Sequence, residues 1–161
     1  MIKPTLQALI LADNIYQDRL SGKMIIAGTF NRINFKKNIP KVADLPNEEE
    51  NALKMQRKLA WHEIYRSGSP YAYISLTNAR GPIPLELRYL DLADNTVLFV
   101  VQFSVNSEDP LTTIETIIPV PPLPTPHAGV YALELASGSE ILGSHRITAV
   151  DTSVPLEQAG G

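Results

Sequence analysis

The chain has no cysteine among its 161 residues, and that absence removes disulfide frameworks, thiolate metal sites, iron–sulfur clusters and thiol nucleophiles together. It also has no excess of positive charge: 14 Lys and Arg stand against 17 Asp and Glu, a formal net charge of −3. Too little basic charge is free to neutralise a phosphate backbone, so nucleic acid is not an expected partner. Long hydrophobic runs are missing too. The longest apolar stretch, residues 97–103, contains Gln102 and falls far short of the roughly 18 to 20 residues that a membrane helix needs. Insertion into a membrane is not expected. The apolar run at 6–12 follows a single positive charge, Lys3, and ends at Asp13 without a small-residue cleavage pattern. A signal peptide is therefore not expected, and a cytoplasmic location is the expectation.

What is present describes an ordinary globule, with 44% hydrophobic residues and 19% charged. A chain of this length is expected to form one domain, and it can bury a sizeable core without disulfide or metal staples. The compositional excess is in proline, with 13 residues. Five of them lie between Pro119 and Pro126, a density that no central strand tolerates because each proline lacks a ladder donor. This stretch reads as a stiff crossover between two sheets.

Most of the remainder alternates with the period of strands, in short runs separated by Gly, Pro, Asn, Asp and Ser. Strands are expected over 5–12, 24–35, 71–77, 83–92, 97–105, 111–120, 129–135 and 141–150, with 13–23 as a long hairpin loop. Within 24–35 the apolar phase slips: Met24, Ile26 and Phe30 share one parity, Ile33 and Phe35 the other. Gly28 or the Asn31-Arg32 pair is thus expected to form a bulge. In 71–77, Ala72, Ile74 and Leu76 face one way, with Tyr71, Tyr73, Ser75 and Thr77 on the opposite face. A single amphipathic helix is expected over 47–65. Asn47 and Glu50 form a capping-box signature after Pro46, and Ala52, Leu53, Met55, Leu59, Ala60 and Ile64 fall on one half of a helical wheel.

These readings predict an all-β, immunoglobulin-like Greek-key β-sandwich of about eight strands with one inserted α-helix. The domain spans 1–150, and 151–161 form a flexible tail. In the segment Pro126-His127-Ala128-Gly129-Val130-Tyr131, the tyrosine occupies the place where such sandwiches tie a sheet-to-sheet corner through a phenolic hydroxyl.

Several pieces of the chain carry a resemblance. Leu9-Ile10-Leu11-Ala12-Asp13, Tyr16, Asp18, Ser21-Gly22-Lys23 and Gly28-Thr29-Phe30 are joined by Leu76-Thr77, Arg80-Gly81, Leu87-Arg88, Asp91, Asp109-Pro110-Leu111, Gly129-Val130-Tyr131 and Arg146. Together they resemble a family of uncharacterised bacterial proteins, a domain of unknown function. The resemblance covers the chain apart from the expected helix and the last ten residues. It implies a single sandwich domain in a bacterium and brings no activity with it.

Catalytic constellations are hard to find. There is no Gly-x-Ser-x-Gly elbow and no Gly-rich phosphate loop after a strand, and the three histidines, His62, His127 and His145, lack local metal-clip spacing. His145 shares the parity of Ile147 and reads as a half-buried imidazole with one hydrogen-bond partner. Asp18, Asp91, Asp94 and Asp109 lie in or beside loops, where turn and cap duties outweigh a calcium reading. No cofactor and no metal are expected.

The surface is more suggestive. Tyr71 and Tyr73, joined across an expected hairpin by Glu86 and Arg88, make an amphipathic patch of the composition found in recognition sites. Trp61 falls on the polar side of the helical wheel, where it would serve as an exposed anchor if the helix persists that far. The expected role is a non-catalytic protein-interaction or assembly module, with another protein or a second copy as partner. The alternatives are a carbohydrate or small-ligand binding domain and a hydrolase whose site is not legible.

Overall fold

The computed structural model describes residues 3–36 and 69–153. Among the described residues the fold is all-β, with nine strands. They are β1 (Thr5–Gln17), β2 (Met24–Thr29), β3 (Arg32–Phe35), β4 (Tyr71–Thr77), β5 (Gly81–Asp91), β6 (Thr96–Ser107), β7 (Ile114–Pro119), β8 (Gly129–Ser137) and β9 (Glu140–Asp151). The helix expected at 47–65, with Trp61 and His62, lies outside the described residues, as does the end of the chain from 154 onward.

The strands form two sheets, one of four strands in the order β2-β1-β4-β7 and one of five in the order β3-β9-β8-β5-β6. Alternating apolar residues from both sheets meet in one main core. Leu11, Ile74 and Leu76 come from the four-stranded sheet, and Leu85, Leu87, Tyr89, Tyr131, Leu133, Leu135 and Ile147 from the five-stranded one. The two sheets thus pack on each other as the alternation requires. Leu6 of β1 reaches across so closely that a side chain at Gly143 of β9 would force its Cδ2 methyl to move.

Chain links carry the wiring. β4 and β5 belong to different sheets, as do β6 and β7, and β7 and β8. The proline-rich segment 120–128 makes the last of these crossings, as its composition requires. Its first turn is held by the Val120 amide donating to the Pro70 carbonyl at 2.9 Å, and Leu123 packs on the core. Pro119 closes β7 at the rim of its sheet. Pro82 and Pro84 lie inside β5, in the part where β6 is its single neighbour. A proline there breaks no central ladder.

Two expected elements take a different form. The stretch 24–35 is two strands rather than one bulged strand. β2 pairs with β1 in the four-stranded sheet, whereas β3 runs parallel to β9 in the five-stranded sheet. The phase slip is the point where the chain leaves one sheet for the other, and Gly28 at φ +73° begins the turn. The long loop expected at 13–23 is also shorter, because β1 continues to Gln17 and the reversal is confined to a turn closed by the Gly22 amide donating to the Asp18 carbonyl at 2.9 Å.

Candidate interaction surfaces

Five residues were singled out by sequence as a recognition surface, and the fold does not bring them together. Tyr71 and Tyr73 lie on β4 in the four-stranded sheet; Glu86 and Arg88 lie on β5 in the other. The expected β4–β5 hairpin is instead a crossing between sheets, so the tyrosines and the charged pair occupy opposite outer faces. Trp61 is outside the described residues.

The tyrosine face is not an open patch. Tyr73 is 9% exposed and Ser75 5%, and Tyr73 belongs to a second apolar cluster with Ala12 and Ile15, flanked by Ile10, Met24, Ile26, Tyr71 and Ile117. The Tyr73 hydroxyl donates to the carboxylate of Glu115 on the neighbouring strand β7. Burial first, and that carboxylate second, push the Tyr73 phenol above its ordinary range. Ala72, Ile74 and Leu76 are fully buried in the main core, as their parity requires.

On the other sheet, Arg88 holds Glu86 through Nε at 2.9 Å and Nη2 at 2.7 Å. This fork lowers the Glu86 pKa. Gln102 of β6 donates to the other Glu86 oxygen at 3.2 Å. The charged pair therefore borders β6, and a shallow cleft of about 380 Å³ runs there between Pro84, Leu85, Glu86, Gln102, Phe103 and Ser104.

β6 itself drew no attention in the sequence as a binding element, yet half of its residues are exposed. It is the outermost strand of the five-stranded sheet, with β5 as its one neighbour among the described residues. In an antiparallel pair only about half of a strand's N–H and C=O groups face the partner, so the other half of this twelve-residue strand point outward. Its side chains include no Asp, Glu, Lys, Arg or Pro. Val97 and Val100 are 47% and 45% exposed, and Phe99, Val101 and Phe103 pack on the core while staying only half-buried. The signal for this was present as an uncharged run; what was missing was its place at the sheet edge. Val97 shares the apolar parity of Phe99 but faces outward, because Leu98 forms a bulge opposite the Tyr89–Leu90 step.

A polar cluster closes one end of the core. The Tyr131 hydroxyl donates to the His127 carbonyl at 2.6 Å, the corner bond expected from the sequence. The His127 ring lies tilted over Tyr131, which stacks on Tyr89, itself stacked on Phe99. His127 Nε2 meets the buried carboxylate of Asp91, and its Nδ1 meets the Ala128 carbonyl at 2.8 Å. The Ala128 carbonyl and the Asp91 carboxylate raise the His127 pKa. His145 is half-buried and bonds the Phe30 carbonyl through Nε2 at 2.8 Å.

The four loop aspartates do turn work. Asp18 accepts the Ser21 amide at 2.9 Å, Asp91 that of Ala93 at 2.9 Å, Asp94 that of Thr96 at 3.0 Å and Asp109 that of Leu111 at 2.9 Å. Among the described residues no group of three His, Asp or Glu side chains is placed to hold a metal ion, and no helix long and apolar enough to cross a membrane is present among them. A scan against protein-family models finds no matching family, and a search of curated proteins finds no matching relative.

Proposed function

We propose that this chain is a non-catalytic protein-interaction or assembly module built on an immunoglobulin-like Greek-key sandwich, and that it binds by adding a strand to the outer edge of β6, which has no neighbour among the described residues. The single observation that carries this reading is the unguarded edge. Exposed edge strands invite pairing with any extended chain, and soluble proteins blunt them with shortness, charge, proline or a bend. β6 has twelve residues, no charged side chain and no proline. Main-chain donors and acceptors supply affinity in such pairing, and alternate side chains supply selection.

Support for the immunoglobulin-like assignment comes from β3 running parallel to β9 at the rim of the five-stranded sheet, from the repeated crossings between sheets and from the Tyr131 corner at the start of β8. The resemblance to a bacterial family of unknown function belongs to the same proposal, as does a cytoplasmic setting.

A photoreactive side chain placed at Gln102, exposed on β6, tests the reading in living cells. A discrete adduct is expected, and Val100→Lys should remove it, while the same probe at exposed Ser144 on β9 gives none. Equal adducts from both positions, or none from Gln102, would overturn it.

A further inference from the structure

The strand that fits the β6 edge is, we infer, β6 of a second copy of this chain, paired antiparallel about a two-fold axis near Val101; this rests on β6 being the binding edge.

Comparison with the other edges shows why β6 stands apart. β2 has six residues and is bent away at Gly28; β3 has four and carries Arg32; β7 has six, with Glu115 in it and Pro119 at its end. Each of these three is short, and each has a guard. β6 is at least twice as long as any of them, and its one irregularity, the bulge at Leu98, lies near its start and leaves the stretch from Phe99 to Ser107 without charge, proline or bend.

Self-pairing suits the strand's chemistry on both faces. A two-fold axis normal to the sheet keeps each face of β6 against the same face of its copy, so the half-buried row meets itself. With Val101 on the axis, Phe99 lies opposite Phe103 of the second copy. Aromatic and β-branched cross-strand pairs of this kind are the favourable ones. On the outer face Val100 lies opposite Gln102, and no charge meets a like charge anywhere along the ladder. Phe99, Val101 and Phe103, which the monomer leaves half-exposed, would gain the cover they lack. The product is one continuous ten-stranded sheet, made of two five-stranded halves.

The strand's ends set the electrostatics. Asp94 precedes β6, and Glu108 and Asp109 follow it, all exposed. Antiparallel pairing of two copies brings Asp94 toward Glu108 at each end, a repulsion that salt screens. Self-association should therefore tighten as salt rises. A different partner with basic ends flanking an apolar run would give the opposite sign.

Sedimentation of the full chain over a concentration series decides the matter. A reversible monomer–dimer equilibrium is expected, stronger at 0.5 M than at about 0.05 M salt. The double variant Val100→Lys with Gln102→Lys should weaken it roughly tenfold or more, because like charges then face each other across the ladder. Val100→Glu with Gln102→Glu should do the same, and an equimolar mixture of the two variants should recover association as a heterodimer. Recovery on mixing is a result that misfolded variants could not give. A wild-type chain that stays monomeric at every concentration, a dimer indifferent to the variants, weakening by salt, or a mixture that fails to associate would each overturn the inference. If the wild type is monomeric while Gln102 still yields an adduct with another protein, the binding edge stands and only self-pairing falls.

Discussion

His127 meets an oxygen acceptor at each ring nitrogen, the Asp91 carboxylate at Nε2 and the Ala128 carbonyl at Nδ1. An imidazole can satisfy both only by donating from both, which is the cationic form. Its pKa is accordingly raised above 6.5, through the Ala128 carbonyl first and Asp91 second, with Asp94 adding a weaker attraction. A group whose folded pKa is raised contributes its stability in full below the unfolded value and loses it as pH climbs through the folded one. The domain should therefore lose stability as pH rises from 6.5 through that raised value, read as a falling urea midpoint. His127→Phe keeps a ring over Tyr131 and should flatten the pH dependence in this window; an unchanged slope would place the titration elsewhere. The neighbouring tyrosines offer a second contrast. Tyr131 and Tyr89 are both fully buried and stacked, but the Tyr131 hydroxyl bonds the His127 carbonyl while the Tyr89 hydroxyl has no partner among the described residues. Burial drives the Tyr89 phenol far above its ordinary range, so it stays protonated and unpaired. Tyr131→Phe should cost roughly 0.5 to 1.5 kcal/mol by removing its part-buried bond to the His127 carbonyl, whereas Tyr89→Phe should be neutral or stabilising. Equal losses in chemical denaturation would contradict that division.

Strands were legible in this sequence where one face is buried, and their partners were not. β4 begins and ends where its alternation does, because Ala72, Ile74 and Leu76 are fully buried and a shift by one residue would expose all of them. Nothing in that alternation says which strand lies alongside. β4 and β5 are separated by only three residues and read as a hairpin, yet they join different sheets. This single misplacement split the expected surface, sending Tyr71 and Tyr73 to one outer face and Glu86 and Arg88 to the other. It also hid β6, since a strand's edge position depends on the order of the whole sheet. The phase slip at 24–35 was visible, but a bulge and a change of sheet leave the same trace in one dimension. Gly28 is where they differ in structure: at φ +73° a side chain is strained, and a Cβ there would meet Asp13 Oδ2 at 2.7 Å. Gly28→Ala should destabilise the domain by roughly 1 kcal/mol or more, against the usual gain from replacing glycine. A stabilised variant in thermal unfolding would show that the β2-to-β3 turn tolerates another path.

At the scale of the molecule, the sheets depend on each other because the main core belongs to both. The buried cluster that includes Leu11, Ile74 and Leu76 from one sheet is the same cluster that includes Leu87, Leu133 and Ile147 from the other. The crossings reinforce this, since β4 to β5, β6 to β7 and β7 to β8 each carry the chain across it. Opening one sheet would expose the inner face of its partner, at about 25 cal/mol for each Å² of apolar surface. Unfolding should accordingly be a single cooperative event for the described part of the chain. Leu133, fully buried on β8, is the residue to remove, since it lies mid-strand with paired neighbours on both sides, Tyr89 on β5 and His145 on β9. Leu133→Ala should cost about 2 to 5 kcal/mol. The loss should move the far-ultraviolet signal of the sheets and the near-ultraviolet signal of the stacked Tyr89, Phe99 and Tyr131 by the same amount. Two separated midpoints, with the aromatic signal lost first, would mean that the five-stranded sheet can loosen its tyrosine end while the backbone ladders persist, and that the two sheets are coupled less tightly than their common core requires.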